Sequence, residues 1–180
     1  MQSNDAITVE ILACAARQYR ASGRDAAYIG GSQNSVYEYV QDGRSFILRL
    51  TPCGNRSESL VRSELDWILF LADAGISVSK PIRSKNGRWT EVIPSPEGSR
   101  YTCVVFEKAP GRQIGYPECL EDHGLHERLG RLTGRLHAVS QTYQPQAPIT
   151  ARHDWRQNWF LQHMDLLPES QAGVVPRAMI

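Results

Sequence analysis

The feature that most narrows what this chain can fold into is a turn signal between two β-prone runs. SVYEYV (35–40) and SFILRLT (45–51) are joined by Gln41-Asp42-Gly43-Arg44. Asp-Gly tolerates the backbone angles of a tight two-residue turn, so the spacing predicts an antiparallel hairpin. Alternation along the second run puts Phe46, Leu48 and Leu50 on one face. Ile47 and Arg49 fall on the other.

Other elements surround this pair. Ile7, Ile11, Ala15 and Gln18-Tyr19 recur at helical spacing, with Gly23 as a stop. AAYIGG (26–31) precedes the hairpin. A helix is predicted from Glu58 to Asp73, stopped by Gly75. VSKPIRS (78–84) and RWTEVIP (88–94), joined by Asn86-Gly87, read as a second hairpin. YTCVVFE (101–107) is almost wholly apolar, as a strand buried on both sides would be.

The character changes after residue 107. KAPGRQIGYPE (108–118) holds two prolines and two glycines and reads as a loop. A long helix is predicted over 117–142, with Leu125, Leu129, Leu132, Leu136 and Val139 on one stripe. HDWRQNWFLQHMDLLP (153–168) reads as a further helix. The expected class is α+β. Residues 1–107 form a first lobe, with an antiparallel sheet and one helix over 24–107, 108–116 form a hinge-like linker, and 117–180 begin a helical region.

Composition excludes several classes. The formal net charge is +1 over 180 residues, so nothing points to nucleic acid or an anionic membrane surface. No apolar run approaches the roughly 18 residues of a membrane span. The four cysteines form no C-x-x-C pair, so neither a zinc site nor a disulfide framework is suggested. A soluble cytoplasmic protein with free thiols is expected.

Three places invite a chemical reading. GGSQNSVYEYV (30–40) is either a loop built to lie over phosphates or a turn into a strand. Arg49 ends an otherwise apolar strand and needs solvent or a partner. At about 100° per residue, Val61, Leu65, Ile68 and Ala72 form the buried stripe of the Glu58–Asp73 helix, and Arg62, Asp66 and Asp73 the opposite side. Glu64 falls inside the apolar arc. A carboxylate there pairs with a cation or reaches out to water.

Taken in order, GGSQNSVYEYV, FILRL, SELDWILFLADAGI, VVFEKAPGR and LGRLTGRLHA resemble the aminoglycoside phosphotransferase and choline kinase family, which has a protein-kinase-like fold. They cover most of the chain from Ile29 to Ala138. The resemblance implies a nucleotide lid with Gly31, Ser32, Asn34 and Val36, in which Asn34 replaces a glycine by tolerating left-handed angles. It implies Ile47 against the base and Arg49 on the phosphates, where the family carries lysine. It implies an ion pair from Arg49 to Glu64. Phe106 would back the pocket, with the Glu107 carbonyl and the Ala109 amide on the base edge. ATP or GTP with magnesium would be the cofactor, and a small-molecule alcohol the acceptor.

Departures matter as much. Two of the three lid glycines are missing. The family's H-x-D-x-x-x-x-N catalytic loop and later metal-binding acids are absent. His163-Met164-Asp165 is followed at the fifth place by Ser170, and His153-Asp154 with Asn158 has the wrong spacing. His137, Trp155 and Trp159 read as structural residues. The resemblance thus implies the N-terminal part of a phosphotransferase, inactive as it stands, with exposed C-lobe leucines free to self-associate. The competing readings are a non-catalytic nucleotide-binding module and an unrelated interaction protein. The last requires Glu64 to be exposed and far from Arg49.

Overall fold

In the computed structural model of the protein, residues 7–21, 26–112, 114–146 and Arg156 are described. All but Arg156 belong to one compact unit, Met1–Thr150; a second is Ala151–Ile180. Apart from Arg156, the predicted helix at 153–168 lies outside the described residues, as do Gly23, Trp155, Trp159 and both catalytic-loop lookalikes.

Among the described residues, six strands form one antiparallel sheet. They are β1 (Ala27–Gly30), β2 (Ser35–Gln41), β3 (Arg44–Pro52), β4 (Pro81–Ile82), β5 (Glu91–Pro94) and β6 (Arg100–Glu107). Their order is β1-β2-β3-β6-β4, with β5 also on β6. The predicted hairpin joins β2 to β3, and Asp42 and Gly43 both take positive φ, 52° and 72°. That backbone twist suits the twist of the paired strands.

Strand β6 is central, and its residues 101–106 are all buried. Its neighbours explain one difference from the sequence reading. The segments 78–84 and 88–94 do not pair as a hairpin. Both lie antiparallel to β6, Pro81 and Ile82 opposite Phe106 and Val105, and Glu91 to Pro94 opposite Cys103 to Arg100. They run along the same edge of β6, and the turn at Asn86-Gly87 is an excursion between them. Buried Glu91 holds that excursion, accepting from Ser84 Oγ at 2.6 Å, Asn86 Nδ2 at 2.9 Å and Arg88 Nη2 at 2.5 Å. A carboxylate satisfied this way fixes the loop more firmly than a two-residue ladder would.

The sheet separates two apolar clusters. Helix α1 (Val9–Gln18) lays Ile11 and Ala15 against Phe46, Leu48, Leu50, Tyr101 and Cys103. Thr8 caps it. Its end is set by Arg20 at φ 63° with the Ala21 amide on Ala16 O, a closure that needs no glycine. Helix α2 (Glu58–Asp73) covers the other face, where Val61 and Leu65 meet Val104 and Phe106, with Ile47 packed beside them. The predicted bounds of α2 match. Ser57 caps it, and Gly75 at φ 76° ends it. Alternation in β3 sorts its side chains as the sequence predicts.

The helical region departs in two respects. Asp122 accepts the Leu125 amide at 2.8 Å and starts a new helix. The expected single helix is therefore α3 (Glu118–Glu121) followed by α4 (His123–Ser140). A short carboxylate competes for backbone N–H groups and favours a cap over a helix interior. Asp66, expected on the solvent side of α2, instead accepts from Tyr143 Oη at 2.5 Å. Trp67 Nε1 donates to Ser140 Oγ at 3.1 Å, and the Phe70 and Tyr143 rings lie 5.2 Å apart. The end of α4 thus fixes α2. Leu129 and Leu132, mid-stripe, are exposed.

Candidate functional site

Between the α2 face of the sheet and α2 itself lies a cavity of about 380 Å³. Val36, Ile47, Arg49, Glu64 and Phe106, all singled out in the sequence, line it. Each comes from a different constraint. Val36 stands opposite Arg49 in the β2–β3 ladder, and Ile47 opposite Phe106 in the β3–β6 ladder. Glu64 comes from α2, whose apolar stripe directs that part of the helix at the sheet.

Arg49 Nη1 donates to Glu64 Oε1 at 2.7 Å, and both side chains are 16% exposed. The requirement of the unrelated interaction protein, a Glu64 exposed and far from Arg49, is not met. The guanidinium also lies over the Phe106 ring, 5.2 Å from its centre. Arg49 Nε and Nη2 are buried and take no hydrogen bond among the described residues. Buried unsatisfied donors are costly and rare in folded proteins. The two donors lie on one planar cation, a pattern that suits the oxygen pair of a phosphate or carboxylate, but packing covers both, so a ligand must displace that packing to reach them.

The loop 31–34 connects β1 to β2. Gly31 has φ 141°, and a Cβ placed there would lie 1.8 Å from Asn34 O. Glycine is required by that approach. Gly30 is also at positive φ, 132°, beside an irregularity in the β1–β2 register. Asn34 differs from the sequence reading. Its φ is not positive, so it replaces no left-handed glycine; its carbonyl is what excludes a side chain at Gly31. Ser32 is exposed in the same loop.

At the other end of the cavity wall, Glu107 N–H bonds to Lys80 O at 2.9 Å and Lys108 N–H to Ser45 O at 3.1 Å. Ala109 is one residue beyond these sheet bonds and is exposed. Two ion pairs brace this junction. Arg44 reaches Glu107 at 2.6 Å, and Lys108 reaches Glu38 at 2.6 Å.

Four participants were not singled out as site residues. Ile68, Val78 and Ser79 complete the cavity lining. Ile68 follows Glu64 by one helical turn, so its place was available from periodicity. Val78 and Ser79 enter only because β4 pairs with β6. Arg56 Nη1 lies 2.8 Å from Glu64 Oε2. Its only signal was the unpaired second oxygen of an inward carboxylate.

Comparison with known proteins places this geometry in context. Residues 26–177 match the model of the phosphotransferase enzyme family. The amicoumacin kinase of Bacillus subtilis (strain 168) is 33% identical over 169 residues, which is 94% of this chain and 50% of that protein. An amicoumacin kinase solved in complex with AMP-PNP, Ca2+ and Ami superposes with a TM-score of 0.77 at 31% identity, over 93% of this chain and 54% of that one. A microcompartment-associated aminopropanol kinase gives a TM-score of 0.69 at 25% identity, over 85% of this chain and 46% of that one. The chain spans about half the length of these relatives.

Proposed function

This chain belongs to the phosphotransferase enzyme family, and from that premise we propose that residues 26–109 form the nucleotide-binding lobe of a small-molecule kinase. The cavity lined by Val36, Ile47, Arg49 and Phe106 receives a purine nucleoside triphosphate, ATP or GTP. Ile47 and Val36 contact the base and Phe106 closes the back. The Glu107 carbonyl and the Ala109 amide take the base edge, and Arg49 takes phosphate oxygens.

The observation that carries this reading is the pair of buried, unpartnered donors on Arg49. A phosphate that displaces the packing over that edge would satisfy both at once. Gly31, which lets the backbone fold closely onto Asn34, supports the lid assignment. A solved relative was complexed with AMP-PNP and Ca2+, so a divalent cation is proposed to accompany the nucleotide, its charge offsetting the phosphates. Among the described residues no three acidic, histidine or cysteine side chains converge, and no step through a metal is assigned to them.

In the family reaction the acceptor hydroxyl oxygen bonds to the γ-phosphorus. The bond to the bridging oxygen breaks, a nucleoside diphosphate leaves, and a base takes the hydroxyl proton. The 180 residues hold no H-x-D-x-x-x-x-N segment to supply that base. We therefore assign nucleotide binding to them without transfer. The acceptor proposed for the family chemistry is a small alcohol.

Thermal unfolding with and without ATP–magnesium or GTP–magnesium tests this. A midpoint that rises with ligand concentration is expected, since a ligand of the folded state alone stabilises it. Arg49→Ala should remove the rise. No shift with either nucleotide would overturn the assignment. Product formation from an added amino alcohol would overturn the absence of transfer.

A further inference from the structure

Arg56 has no place in the nucleotide reading, yet it shares the carboxylate on which that reading depends. Glu64 Oε1 takes Arg49 Nη1, and Oε2 faces Arg56 Nη1 at 2.8 Å. The second contact is an ion pair without well-aligned hydrogen-bond geometry, since Oε2 accepts no hydrogen bond. Arg56 is held by the turn after β3, where its own amide and that of Asn55 bond to Pro52 O at 3.1 and 3.0 Å. One arginine thus reaches Glu64 from within the strand and the other from the turn that follows.

This arrangement decides how Arg49 is used. A carboxylate facing a single guanidinium favours a two-bond fork, which would occupy two N–H groups along one edge. Here the second oxygen answers to another cation, and Glu64 takes only Nη1 of Arg49. Arg49 Nε and Nη2 keep their hydrogens for a different anion. Two guanidiniums against one carboxylate also leave the cavity wall with an excess positive charge.

We propose that Arg56 is a positioning residue: by holding the second oxygen of Glu64, it keeps Arg49 monodentate and leaves Nε and Nη2, now covered by packing, unbonded for a phosphate that displaces that packing. The proposal rests on the cavity being a nucleotide site. It acts through Glu64, with no contact between Arg56 and the ligand. It therefore applies to phosphates and not to the base.

The test is titration of the 180-residue chain and its variants with ATP–magnesium and with adenosine. Arg56→Gln should weaken ATP about tenfold, the loss of one well-placed charged contact, and leave adenosine unchanged. Arg56→Lys should restore most of the ATP affinity, because a single point charge suffices at Oε2. In a Glu64→Gln background, Arg56→Gln should change nothing further. Unchanged ATP affinity in Arg56→Gln, even with a lowered urea midpoint, would overturn the proposal and leave a structural role. An equal loss in the Glu64→Gln background would also overturn it, in favour of direct phosphate contact. A wild-type chain that binds neither ATP nor GTP would overturn the nucleotide reading and this proposal together, whereas tight wild-type binding kept by Arg56→Gln would overturn this one alone.

Discussion

Arg49 and Glu64 come from different layers of the fold, strand β3 and helix α2, and meet at 2.7 Å in a setting where each is 16% exposed. Their removal should not be symmetric. Arg49→Met leaves Glu64 with Arg56 at 2.8 Å, so the carboxylate stays paired, and a cost of about 1 kcal/mol or less is expected. Glu64→Ala leaves two arginines facing each other's charge, with no hydrogen bond left on the Arg49 guanidinium and two of its nitrogens buried, and should cost about 2–3 kcal/mol. Urea unfolding of the two variants checks the order; equal costs would mean that Arg56 does not compensate.

The two glycines of the β1–β2–β3 meander predict a similar contrast. Gly31 and Gly43 both have positive φ, but only Gly31 lacks room. A Cβ at Gly31 would sit 1.8 Å from Asn34 O, whereas one at Gly43 would meet nothing within 4 Å. Gly43→Ala should cost about 1 kcal/mol, the strain of a left-handed alanine. Gly31→Ala must also displace the 31–34 backbone. It should cost about 2–3 kcal/mol, and nucleotide affinity should fall with it. Unfolding and nucleotide titration on the same pair of variants separate the two effects.

These residues also mark how far the sequence reaches. The Asp42-Gly43 hairpin, the bounds of α2 and the sorting of Phe46, Leu48 and Leu50 from Ile47 and Arg49 depend on neighbours in the chain, and all are legible. An inward Glu64 is legible too, because a helix face is periodic. The pairing of β4 and β5 with β6 is not, since their residues carry turn signals for a hairpin and only tertiary packing sends both to one edge. Arg56 is invisible for a related reason: it belongs to no periodic element, and only the folded turn at Pro52 delivers it to Glu64. Asn34 shows a third kind of limit. Its tolerance of left-handed angles is real, but the need for Gly31 arises from where the Asn34 carbonyl points.

A contact outside the cavity lining braces the helix that forms one wall of it. Tyr143 Oη donates to Asp66 Oδ2 at 2.5 Å and its ring packs on Phe70, so the segment after α4 holds the helix that carries Glu64. A double-mutant cycle with Tyr143→Phe and Asp66→Asn should give a coupling of about 1 kcal/mol, as for a half-buried hydrogen bond to a charged group. Additive single effects would show that the two groups do not interact in solution.

Glu91 gives the chain an acid-sensitive point outside the cavity. Burial works to raise its pKa, but hydrogen bonds from Ser84, Asn86 and Arg88, with the charge of Arg88, outweigh it and hold the carboxyl below the usual range. The sign follows from proton counting. Between the lowered folded value and the ordinary unfolded one the unfolded chain binds more protons, so stability rises with pH through that interval. The contribution is complete above the unfolded carboxylate value, about pH 4, and is lost as pH falls through the folded one. Glu91→Gln should therefore be less stable than wild type by about 1–3 kcal/mol at pH 7. The gap should narrow in acid, where protonated Glu91 resembles the amide. Urea midpoints of the two proteins between pH 7 and pH 3 test it, and a constant gap would place the stabilisation in packing of the 83–90 excursion and not in the charge of Glu91.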